Sequence, residues 1–207
     1  MSVNSNSYFR LSSFYFFYFA VVGALMPYWG VYLKSLGFSS QDVGVMSATI
    51  FATRIIAPNF WGWIADKTQK RLFIIQVGSA IAVTLFLGVF LSHKYAWLIG
   101  VVSCYTFFWH AVLPQFEVLT LRSLGGRTYD YSKVRLWGSI GFIFAVVFLG
   151  LLFDWVSIAY LPIAIFTFLF SAVKMPQQVV SLESLCSRCP VMINVPRLSI
   201  RSNNPKF

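Results

Sequence analysis

The sequence predicts an all-α membrane protein, and three observations carry that prediction. Of 207 residues, 58% are hydrophobic and only 11% are charged, whereas a soluble domain carries about 25% charged residues. Six apolar segments, 11–33, 43–64, 72–92, 95–121, 134–153 and 156–173, approach or exceed the roughly 20 residues that cross a bilayer as a helix. Basic residues crowd into alternate connections between them. Hydrocarbon offers backbone N–H and C=O groups no partners, so spans of this length must be helices. The connections are short, which predicts that sequential helices are antiparallel neighbours.

The first segment opens with Phe14, Tyr15, Phe16, Phe17, Tyr18 and Phe19 and ends with Tyr28, Trp29 and Tyr32. One reading is an interfacial belt with lipid-facing packing. The other is that one face lines a substrate cavity, because Tyr18 and Trp29, eleven residues apart, fall near one helical stripe. The run is too long for a cleavable signal, and only Arg10 precedes it, so it is expected to remain as a span. The second segment carries Arg54, twelve residues from both Asp42 and Asp66. An arginine at the bilayer centre costs about 2.5–3.5 kcal/mol on insertion scales. It is therefore expected to have a carboxylate or substrate partner inside the bundle, with Glu117 the internal candidate. Cys104 reads as a small packing residue. Pro27, Pro58, Pro114 and Pro162 fall inside spans and are expected to bend them. Beyond Met175 the chain turns rich in Ser, Asn, Arg and Pro. This divides it into a six-helix bundle, residues 1–175, and a polar, disordered cytoplasmic tail, residues 176–207.

Orientation follows from the positive-inside rule. With the N-terminus in the cytoplasm, the inner connections carry Arg10, Lys67, Lys70, Arg71, Arg122, Arg127, Lys133 and Lys174, and the outer ones only Lys34 and Lys94. The net charge of +10 is thereby accounted for, and no basic, stacking surface points to nucleic acid. Cys186 and Cys189 form a lone pair, and His93 and His110 lie in separate segments, so no metal site is expected. No phosphate loop or nucleophile elbow is present, and neither a cofactor nor an enzyme activity is expected. The expected partners are membrane lipid, a small-molecule substrate and protons.

Chemistry concentrates between Glu117 and Phe142. Glu117 closes one apolar run and Arg135, 18 residues on, opens the next. Charges at such depth usually face a cavity or a partner and mark a pathway. Burial favours a neutral carboxyl and a nearby arginine an ionised one, so a carboxyl balanced between them can take and release protons. Arg135 offers a planar fork suited to a carboxylate or to hydroxyls. Gly138, Gly141 and Ala145 form a strip on the fifth helix that lets another helix approach closely. A pair that only pins two helices remains the plainer alternative. His110, on the face of Glu117, reads either as a proton-relay or substrate contact or as a hydrogen-bonded interior residue. After the second span, Gly62 permits close helix approach. Asp66 there faces Lys67, Lys70 and Arg71 as a latch or as an ordinary basic loop.

That loop, Gly62-Trp-Ile-Ala-Asp66-Lys67-Thr-Gln69-Lys70-Arg71, resembles the signature of the major facilitator superfamily, with Ile64 in place of leucine and Gln69 in place of a glycine. It falls between a second and a third span, as in that family. Lys133-Val-Arg135-Leu-Trp-Gly138-Ser-Ile-Gly141-Phe, Tyr18-Phe19 and Met26-Pro27-Tyr28-Trp29 resemble its lactose permease and phenylpropionate permease branch over residues 8–176. Arg54 and Pro114 bring the likeness nearer the phenylpropionate permease type. The resemblance implies the N-terminal bundle of a major-facilitator fold, a gating role for Asp66 and substrate binding by Glu117 and Arg135. The expected function is proton-coupled symport of a small organic solute such as an aromatic acid or sugar, in a bacterial inner membrane. Family members have twelve spans, so the chain reads either as a truncated or frameshifted product or as a half that pairs with a second six-helix half, and it is expected to transport poorly alone. A non-transporting structural or assembly partner is the alternative.

Overall fold

The structure, a computed structural model, describes residues 5–124 and 128–186. Among these residues there are six α-helices and no strands: α1 (Ser5–Ser35), α2 (Ser40–Thr68), α3 (Arg71–Phe86), α4 (Tyr95–Ser123), α5 (Thr128–Phe153) and α6 (Leu161–Cys186). Short 3-10 turns, Leu87–Phe90 and Ile158–Tyr160, extend α3 and precede α6. Five helices are long and apolar enough to cross a membrane, and the apolar part of the sixth, Ile158–Lys174, is shorter. The all-α membrane architecture stands as expected.

Local chemistry sets the helix ends. Gly37 takes φ +87° just past α1, a conformation that costs glycine nothing. Ser39 then caps α2: its Oγ accepts from the Asp42 N–H at 3.1 Å, and Asp42 Oδ2 accepts from the Ser39 N–H at 3.1 Å. Asp42 is thus a capping residue. Pro27, Pro58 and Pro114 lie inside continuous helices. Pro162 does not. It sits in the first turn of α6, where its missing N–H has no helical partner to lose. The helix α6 also runs to Cys186, so residues 176–186, expected as the start of a disordered tail, are helical. The rest of that tail, with Cys189, lies outside the described residues.

Short connections do not make sequential helices neighbours along their length, which corrects the expectation above. Only α3 and α4 pack that way; α1 packs on α5 and α6, α2 on α4, and α3 on α6 as well. The choice of partner follows side-chain volume. A methyl group at Gly23 would lie 2.7 Å from the Phe142 carbonyl oxygen, one at Gly138 2.6 Å from Phe19, and one at Gly141 inside the Phe16 backbone. The small-residue strip on α5 therefore receives α1 in near-backbone contact. Tyr28 locks the pair by donating to the Val146 carbonyl at 2.6 Å.

Buried residues from all six helices form the core, with aromatic rings meeting where α1 faces α4. Phe14, Tyr15 and Tyr18 are buried, so one face of the start of α1 packs inward, while Phe16, Phe17 and Phe19 are half-buried. Phe14 stacks on Phe116 at 3.7 Å, and Tyr18 stacks on Trp109 at 4.6 Å. The apolar surfaces of α2 and α5 remain mostly exposed. Cys104 is exposed too, not packed as expected.

Candidate functional site

Three helices line an open-sided cavity of about 160 Å³. Tyr18, Phe19 and Val22 line it from α1, Arg54 and Pro58 from α2, and Trp109, His110, Leu113 and Pro114 from α4. The kink-prone Pro58 and Pro114 therefore face each other's helices at the cavity rather than lipid. Its walls are mainly apolar and aromatic with a few polar groups, the usual character of a small-molecule site.

Arg54 is exposed to this space. Among the described residues it has no ion-pair partner. The internal carboxylate expected for it, Glu117, is engaged elsewhere: Arg135 Nη1 donates to Glu117 Oε1. The pair joins α4 to α5, two helices that otherwise scarcely touch. It stands next to the cavity, because the Arg135 guanidinium lies 5.5 Å from the ring of Phe19, a lining residue. Glu117 itself is one turn beyond Leu113 and Pro114. The side chains of Arg135 and Glu117 keep 43% and 30% of their surfaces exposed. An ion pair so open to its surroundings is worth about 0–1 kcal/mol to stability when water reaches it, too little to make it the main fastening of α5. The interface of α5 with α1 supplies that.

His110 meets α2 through Thr53, whose Oγ1 is 3.3 Å from His110 Nδ1. Thr53 Oγ1 also lies 3.0 Å from Thr106 Oγ1. Trp29 is not brought to the cavity. It is buried against Tyr32, ring centroids 5.3 Å apart, so the shared stripe with Tyr18 holds but the cavity opens at Tyr18 alone.

The loop between α2 and α3 is a separate cluster. Arg71 Nη2 donates to Asp66 Oδ1, and Arg71 Nη1 donates to Gln115 Oε1 at 2.5 Å. One guanidinium thereby ties the end of α2 to α4, two residues from Glu117. Lys67 lies over the Trp63 ring at 5.1 Å, and Lys70 precedes α3 without a side-chain cap. A methyl group at Gly62 would sit 3.8 Å from Gln115 Nε2, an ordinary contact, so this packing does not require glycine there. Gln69 takes the left-handed φ of +55°, where the family signature has glycine. Its Nε2 compensates by donating to the Asp66 carbonyl at 2.6 Å.

Sequence reasoning missed Trp109, Phe19, Thr53 and Gln115. Gln115 carried a signal, as a polar residue inside an apolar run beside Glu117. Thr53 adjoins Arg54, but threonine is too common in membrane helices to stand out.

A bundle of helices this long and apolar is that of a multi-pass membrane protein. The chain belongs to the MFS_1 like family of the major facilitator superfamily: the model of that family matches residues 8–192, further than the expected end of the resemblance at 176. Its relatives include the maltose permease of Geobacillus stearothermophilus, 30% identical over 70% of this chain and 37% of the permease. The uncharacterized transporter YwbF of Bacillus subtilis is 28% identical over 69% of this chain and 36% of that protein. The probable 3-phenylpropionic acid transporter of Escherichia coli is 24% identical over 66% and 36%. The chain thus spans little more than a third of these relatives' length. No solved structure matches it.

Proposed function

We propose that the chain forms the N-terminal half of a proton-coupled symporter of a small organic solute, an aromatic acid or a sugar, in a bacterial inner membrane. The observation that carries this reading is Arg54, a cation without a counter-ion among the described residues, on an aromatic-walled cavity that adjoins the Glu117–Arg135 pair. An unmatched guanidinium at membrane depth needs an anion or hydroxyls, and the solute supplies them. Glu117 exchanges Arg135 for a proton as the cavity changes access, with His110 on the path. The Asp66–Arg71–Gln115 cluster acts as the cytoplasmic latch, and the N-terminus faces the cytoplasm. A second six-helix half closes the exposed side of the cavity, and the two halves rock about the midplane site.

The test is binding and uptake in liposomes with 3-phenylpropionate and maltose as probes. Saturable binding by the chain that Arg54→Gln weakens at least tenfold supports the site, and binding that Arg54→Gln leaves unchanged refutes it. Proton-driven uptake by liposomes holding only this chain would contradict the need for a second half. The ion pair also favours a second reading, a non-transporting assembly partner in which it merely holds α5 to α4. Glu117→Gln separates the two: coupling lost with folding intact supports transport, and folding lost supports the structural role.

A further inference from the structure

The proton count around Thr53 is restrictive. Each threonine hydroxyl has one proton to give, and a carbonyl oxygen can only accept. Thr106 Oγ1 lies 2.7 Å from the Val102 carbonyl oxygen, and Thr53 Oγ1 lies 2.8 Å from that of Ile50. These are the shortest contacts each hydroxyl makes, and they consume both protons. Were Thr53 to donate to Thr106 instead, at 3.0 Å, its proton would again be spent. The imidazole at 3.3 Å is the longest of the three contacts of Thr53 Oγ1, so the proton goes to a nearer acceptor. The contact then runs one way: His110 Nδ1–H donates and Thr53 Oγ1 accepts. A neutral ring protonated at Nδ1 carries its lone pair on Nε2. His110 lines the cavity, and no described residue hydrogen-bonds its Nε2.

We propose that Thr53 is a positioning residue that holds neutral His110 as the Nδ1–H tautomer and so presents Nε2 to the cavity as a hydrogen-bond acceptor. The next residue, Arg54, can only donate. The α2–α4 wall therefore offers one acceptor beside one donor fork. It matches a solute with a hydroxyl next to a carboxylate or carbonyl oxygen, and it leaves an incoming proton one nitrogen to occupy. The statement about the solute rests on the cavity being the transport site, as proposed above. The tautomer does not.

The test is the solid-state 15N spectrum of histidine-labelled full chain in lipid nanodiscs, at a pH where the rings are neutral. There are two histidines, so a His93→Gln variant assigns the signals. The expected result is a His110 population mainly protonated at Nδ1. Thr53→Ser should preserve it, and Thr53→Val should move at least half of it to the Nε2–H form. A wild-type ring protonated mainly at Nε2 overturns the proposal, as does an Nδ1–H form that Thr53→Val leaves untouched. Should the valine variant not fold, the wild-type spectrum decides alone. Loss of solute binding with the Nδ1–H form intact would count against the transport reading and not against the ring assignment.

Discussion

Replacing Gly141 and Gly100 by alanine makes the same chemical change and should shift stability in opposite directions. Both glycines lie inside helices, where alanine gains about 0.5–1 kcal/mol from restricted backbone freedom. At Gly100 nothing lies within 4 Å of the added methyl group, so that gain is the whole effect. At Gly141 the methyl group would occupy the Phe16 backbone, which is no flexible side chain that could swing aside. Relief requires α5 to move off α1, and overpacking of this kind costs about 1–3 kcal/mol. With the upper end appropriate to a backbone clash, the net loss is about 2 kcal/mol. The two variants should therefore differ by about 3 kcal/mol. Since 1 kcal/mol moves the midpoint about 2–4 °C in a chain of this size, the gap corresponds to roughly 6–12 °C. Thermal unfolding of the purified variants in one detergent, followed by circular dichroism, measures it. Equal midpoints, or a Gly141→Ala variant above wild type, would refute the account of how α1 and α5 meet.

Further outcomes follow from the loop after α2. Asp66 keeps 67% of its side-chain surface exposed while Arg71 keeps 13%, and Gln115 is buried at 2%. The Asp66–Arg71 pair is thus worth about 0–1 kcal/mol, whereas leaving buried donors of Arg71 unmatched costs about 1–3 kcal/mol. Gln115→Leu should lower the unfolding midpoint more than Asp66→Asn does, and the reverse order would show that the ion pair dominates the latch. Gln69→Gly removes a left-handed strain of about 1–2 kcal/mol and gives up a hydrogen bond worth about 1 kcal/mol. Gln69→Ala loses the bond and keeps the strain. The expected order of midpoints is glycine, then wild type, then alanine, and an alanine variant as stable as the glycine one would remove the strain argument. Arg135→Lys should weaken solute binding while leaving the midpoint within about 1 kcal/mol of wild type, because the pair is half open. A large loss of stability there would make the pair structural.

What this sequence determined by itself was every property that depends on composition along one helix. Apolar length made the spans, and an acid and an arginine 18 residues apart announced a pair across a connection. The glycines of α5 announced a close approach without saying which helix would come. Tertiary structure decided the rest, because it depends on the azimuth and depth of one helix against another. It gave the strip to α1, gave Glu117 to Arg135 and so left Arg54 without a counter-charge among the described residues. It turned Trp29 into the core and brought Thr53 and Gln115 to partners on neighbouring helices. Periodicity says which face a residue is on; only packing says what that face meets, since helices of similar apolar surface differ in partner by a few side-chain volumes.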